Sequence, residues 1–181
     1  MRAVRFCVAL AAVLVTAPPL AADPVAEPAG YRLEHYRAPT PASLAGAVTV
    51  ETAEARRLLD AGAAIPINVK KLERSTLGAR PWLLPKPEPQ IPGGVWLPNV
   101  GLGEPGAETE AYFVHALERL TGGGRERGLL FYCLADCWMS WNAAKRALSL
   151  GYSRVYWYRD GLDGWAEAGL PTMDGGPEPL P

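Results

Sequence analysis

The chain has 181 residues, 18 basic and 19 acidic side chains, two histidines and three cysteines, and 49% of it is apolar. That length and apolar share suit one domain with its own core rather than a disulfide-stapled miniature. The formal net charge of −1 and the lack of any basic block argue against nucleic acid and anionic membrane surfaces as partners.

Met1 to Arg5 is a short basic lead, Phe6 to Ala17 an apolar run too short to span a bilayer, and Pro18-Pro19-Leu20-Ala21-Ala22 a small-residue cleavage site. Residues 1–22 therefore read as a cleaved signal peptide of the bacterial secretory type, which predicts a periplasmic protein. No cysteine follows the cleavage point, so no lipid anchor is expected and no stable membrane attachment. Losing Arg2 and Arg5 from the 18 basic residues leaves 16 against 19 acidic, a net of −3, and losing Cys7 leaves Cys133 and Cys137.

Residues 23–45, rich in Pro and Ala, read as an extension in which Tyr31, Leu33 and Tyr36 could form a strap; the weaker periodicity favours a partly ordered tail. A strand is expected at Val48, then a helix over Ala53 to Ala61 capped by Thr49 or Thr52, with Leu58 and Leu59 inward and Gly62 as its stop. The next strand runs from Ala64 to Val69, and Pro66 moves its expected start to Ile67. From Lys70 to Gln90 four prolines forbid a regular helix. An extended loop is expected there, anchored by Trp82, Leu83 and Leu84, with a wall of the site as its alternative role. A turn at Pro92-Gly93-Gly94 leads to a strand at Val95. Glu110 to Leu120 has helical spacing, and His115 on it reads as a surface or half-buried residue.

Leu129 to Tyr132 is a short unbroken apolar run, as expected of a strand covered on both faces. Asn142 to Leu150 is rich in good helix formers. Between them lies Cys133-Leu134-Ala135-Asp136-Cys137-Trp138-Met139. Strands at Val48, Ile67, Val95, Leu130 and Val155 alternating with helices predict an α/β domain with a mainly parallel sheet flanked by helices. Ligands in such folds gather at the carboxyl ends of the strands, where Cys133 lies. A thiol there, at a helix start, is expected to be exposed and easily ionised.

Several segments carry a family resemblance: Tyr132-Cys133 with its loop and Ala-rich helix, the Gln90-Ile91-Pro92-Gly93-Gly94-Val95 turn, Ile65 to Lys70, Gly151 to Tyr156, Asp160-Gly161-Leu162-Asp163-Gly164-Trp165, and Ala168 to Pro171. Over residues 46–172 the chain resembles the rhodanese-like domains, leaving 173–181 as a C-terminal tail. Cys133-x-x-x-Cys137-Trp138 further resembles the CXXCW-motif proteins associated with pyrroloquinoline quinone (PQQ)-dependent catabolism. The resemblance implies that Cys133 is the nucleophile and carries sulfur as a persulfide, with no cofactor required, and that a small sulfur donor or thiol acceptor is the partner. Leu134, Ala135, Asp136, Trp138 and Met139 would then form the substrate-binding loop.

The loop departs from the family's in having no Arg, Lys or Gly. Asp136 opposes thiolate formation and anion binding, which argues against efficient thiosulfate sulfur transfer. Cys137 adds a resolving or disulfide partner for Cys133. No residue spacing supports a metal site with His35 or His115. Trp141 reads as core, while Trp138 with Trp82 and Tyr158 is a candidate aromatic mouth. Two functions follow as expectations: sulfur or thiol-redox handling through Cys133 and Cys137, accessory to PQQ-dependent alcohol catabolism, or an inactive binding module that docks a cofactor or a periplasmic dehydrogenase.

Overall fold

The computed structural model describes residues 24–75 and 81–180. The signal-peptide expectation for residues 1–22 lies outside these, as do residues 76–80 of the Pro-rich connection. The described chain runs β1 (Val48–Val50), α1 (Thr52–Asp60), β2 (Ala64–Asn68), β3 (Glu88–Gln90), β4 (Val95–Trp96), α2 (Ala107–Thr121), β5 (Gly128–Tyr132), α3 (Trp138–Ser149), β6 (Val155–Tyr158), α4 (Gly161–Glu167) and β7 (Met173–Gly175). Five strands form one sheet in the order β1-β6-β5-β2-β4, with every pairing parallel. This is the α/β architecture expected from the alternation of strands and helices.

β5 lies at the sheet's centre, and its side chains alternate between two cores. Leu129 and Phe131 join α2 and α3 in one, with Phe113, Leu117, Trp141 and Trp157. Leu130 and Tyr132 join α1 and α4 in the other, with Leu58 and Trp165. Burial on both faces is why β5 reads as an unbroken apolar run.

Four elements differ from expectation. β2 begins at Ala64, with Pro66 inside it. β4 reaches only Ile67 and Asn68, so at Pro66 the strand has a sheet neighbour on one side alone, where a missing donor is tolerated. α1 is capped by neither threonine: its N-cap is Glu51, without a side-chain bond, and the Thr52 hydroxyl pairs with that of Tyr158 at 2.7 Å. The Pro-rich connection is not wholly irregular, because β3 pairs antiparallel with β7 of the tail. Trp82 anchors it by donating from Nε1 to the Glu178 carbonyl, whereas Leu83 is 57% exposed. α3 begins one turn earlier than its helix formers suggest, at Trp138.

The extension is a strap, not a tail. Asn142 Oδ1 accepts the Arg32 N–H at 3.0 Å, and its Nδ2 donates to the carbonyls of Arg32 and Gly101 at 2.8 and 2.9 Å. The Trp138 and Trp141 indoles donate to Pro39 and Ser43 carbonyls, and Lys145 Nζ to those of Pro28 and Ala29. Nine of the twelve residues of α3 are buried, because the strap covers the face that the sheet does not. Polar groups on that outer face, which composition alone would leave to water, find their partners in the strap's backbone.

Candidate functional site

The site forms where β5 ends. Cys133 follows the strand directly, and its carbonyl accepts the Leu162 N–H at 2.9 Å. The Ala135 N–H donates to Asp163 Oδ2 at 2.9 Å. The start of α4 thus clamps the first half of the loop. Asp136 turns the chain with φ of 48°, a left-handed conformation that Asp tolerates better than most residues. The strap clamps the second half: Ala38 N–H donates to the Asp136 carbonyl at 3.1 Å, and Trp138 N–H to the Tyr36 carbonyl at 2.9 Å. These two bonds flank an antiparallel bridge between Arg37 and Cys137.

Cys133 and Cys137 are joined as a disulfide, with their Cα atoms 6.1 Å apart. Each is only 3% exposed, so the open thiol expected at the strand end is not what the fold presents. Two of the loop amides are turned to other acceptors, that of Ala135 to Asp163 and that of Trp138 to Tyr36. Cys137, not Cys133, is the N-cap of α3, and so stands at the positive end of that helix's dipole.

Both cysteines nonetheless border a cavity. A cavity of about 520 Å³ is lined by Cys133, Leu134, Cys137 and Met139, by His35, Tyr36 and Arg37 of the strap, and by Lys70 and Lys71. Lys70 pairs with Glu88, and Lys71 lies 3.2 Å from Glu73. Arg37 has no carboxylate partner among the described residues.

Of the loop residues expected to bind substrate, Leu134 and Met139 line the cavity. Ala135 is half-buried over Asp163, and Asp136 is exposed beside the site rather than in it. Trp138 lies outside it, 2% exposed beneath the strap, edge-on to Trp141 at 5.4 Å and with the Arg32 guanidinium 5.4 Å from its ring. The aromatic mouth is corrected accordingly. Trp82 packs 6.4 Å from Tyr112 against the tail, and Tyr158 binds Thr52. As the first residue of α3, Trp138 turns to the strap side, and Tyr158 belongs to the core on the opposite face of the sheet. His115 lines a separate cavity with Arg119 and Glu178, away from the sulfurs.

Burial raises the ionisation of the Tyr132 phenol far above its usual range and pushes that of Tyr158 up to about 12, so neither exchanges protons near neutral pH. Tyr132 instead accepts the Ile91 N–H at 3.1 Å, a structural bond within the core on that face of the sheet.

Sequence reasoning missed the cations. Lys70 follows the end of β2, the strand next to β5, and the rule that sites collect at such ends could have found it. Arg37 carries no local signal, since its place depends on the strap.

No family model matches the sequence, and neither does any curated protein. Solved structures do. The thiosulfate sulfurtransferase from Pseudomonas aeruginosa superposes with a TM-score of 0.52 at 19% identity, over 72% of this chain and 21% of that one. A human single-domain sulfurtransferase gives 0.46 at 26%, over 67% and 96%. The polysulfide-sulfur transferase homodimer from Wolinella succinogenes gives 0.46 at 18%, over 73% and 82%. This chain spans about a fifth of the length of the Pseudomonas protein. The architecture is a rhodanese-like α/β fold, with a mainly parallel sheet between helices.

Proposed function

We propose that this is an exported, periplasmic thiol-redox protein that handles electrons or sulfur through Cys133, with Cys137 as its disulfide partner, in support of PQQ-dependent alcohol catabolism. The Cys133–Cys137 bridge in the lining of a cavity is the observation that carries it. The bonded pair, with the Ala135 and Trp138 amides held by Asp163 and Tyr36, favours disulfide cycling over a persulfide cradled by main-chain donors. The CXXCW resemblance supplies the metabolic setting, and the signal-like leader supplies the compartment.

Thiol titration of the mature protein tests this. No free thiol is expected before treatment with dithiothreitol and two after it, with the fold retained; Cys133→Ser and Cys137→Ser each abolish the cycle. A thiosulfate-to-cyanide assay is expected to give little product. Two free thiols in protein taken from an oxidising compartment, or a bridge that dithiothreitol leaves intact in the folded chain, would remove the proposal. For the setting, the test is whether loss of the protein lowers the activity of a PQQ-dependent alcohol dehydrogenase in the same cell.

The burial of both cysteines, each 3% exposed, favours a second reading, a binding module that docks a cofactor or a dehydrogenase over a permanently closed bridge. Failure of the redox test with a ligand still held in the cavity is its signature.

A further inference from the structure

We propose that the cavity over the bridge is a binding site for organic thiols that carry carboxylates, and that such thiols are the molecules that reduce it. This rests on the redox reading above. A volume of about 520 Å³ is in the size class of organic ligands, and a bare sulfur oxyanion would leave most of it to water. The lining divides by chemistry. Cys133, Leu134, Cys137 and Met139 give the lining its sulfur and hydrocarbon part, while Arg37, Lys70 and Lys71, with His35, supply polar side chains.

Carboxylates do stand nearby. Glu88 pairs with Lys70, Glu73 with Lys71, Glu34 lies 3.9 Å from His35, and Asp136 is exposed beside the loop. None of them lines the cavity. Arg37, without a carboxylate partner among the described residues, offers a planar fork of donors suited to one. A ligand with an apolar, sulfur-bearing centre and anionic groups at its edge matches both halves of the lining.

The chemistry balances with the thiol as reductant. Its thiolate attacks the Cys133 sulfur, and the bond to Cys137 breaks with its electron pair left on Cys137. That leaving group is favoured because Cys137 caps α3. Cys137 takes a proton from solvent, and Cys133 holds the ligand in a mixed disulfide. A second thiolate attacks the ligand's sulfur and releases Cys133. Two thiols become one disulfide, and the protein bridge becomes two thiols.

The test uses the oxidised mature chain and three probes: mercaptosuccinate (anionic), 2-mercaptoethanol (neutral) and cysteamine (cationic). Each reduction rate is divided by the same thiol's rate on 2,2′-dithiodipyridine, a neutral disulfide, which cancels intrinsic nucleophilicity. Mercaptosuccinate is expected to exceed cysteamine on the order of 100-fold at low salt, and the gap is expected to shrink with added salt. Arg37→Gln and, separately, the more exposed Lys71→Gln are expected to cut the gap about tenfold each, and Arg37→Lys to keep most of it. A flat charge series, or a gap that survives both glutamine variants, overturns the anionic-thiol site while leaving the redox reading intact. A bridge that dithiothreitol cannot reduce overturns the redox reading, and this site with it.

Discussion

Gly161 shows how tightly the loop is held. Its φ is 57°, and a Cβ placed there would stand 2.5 Å from the Cys133 carbonyl oxygen. Both the left-handed backbone and the collision with main chain oppose any side chain. Gly161→Ala is expected to cost about 2–4 kcal/mol of stability in urea unfolding and to change the rate at which the bridge is reduced, because the same carbonyl anchors the loop through Leu162. Asp163→Ala removes the acceptor of the Ala135 amide and is expected to cost about 1 kcal/mol, with faster reduction as the first half of the loop loosens. The glycine and the aspartate were visible in the sequence as parts of a closing segment, but their grip on Cys133 and Ala135 was not. The residues are 28 apart, and only the return of β6 beside β5 brings them together.

The strap and α3 form one unit at the next scale. Asn142, fully buried, makes three hydrogen bonds that join α3 to the strap and to Gly101. Asn142→Ala strands an amide and two carbonyls, and is expected to cost about 2–4 kcal/mol while shifting the emission of Trp138 and Trp141 toward that of hydrated indole. Glu27 fixes the strap's outer end, where the Ser43 hydroxyl and then the Ala45 N–H hold its carboxyl below the usual 4.5. Its folded value is depressed, so its contribution is present above pH 4.5 and disappears as pH falls through that lower value. The group is exposed, and salt screens the effect. Hydrogen-exchange protection of residues 24–45, taken relative to the intrinsic rate at each pH, is expected to fall on acidification in that range, well before global unfolding. Helix formers placed α3 from Asn142 because its first turn, Trp138 to Trp141, holds two tryptophans and a serine and takes its first backbone acceptor from Tyr36. A partner a hundred residues upstream leaves no local trace.

Across the whole molecule, both ends of the described chain are structural. β7 pairs with β3, and Glu178 accepts from Trp82 and Tyr112 through its carbonyl while its side chain pairs with Arg119. Truncation after Thr172 is expected to lower the urea midpoint and expose Trp82, as quencher access would report. The parallel sheet was legible because its core strands are apolar runs separated by helical stretches, a pattern that survives without any knowledge of contacts. The cations were not, since the cavity is assembled from the strap, the end of β2 and the α3 loop, three stretches far apart in sequence. The bridge itself encloses a ring of only five residues, Cys133 to Cys137. On chain-entropy grounds so small a ring contributes only about 2 kcal/mol, while the two cores on either side of the sheet carry the fold. The crosslink is therefore a fitting that the scaffold can do without, and a chain with the bridge opened is expected to keep its architecture.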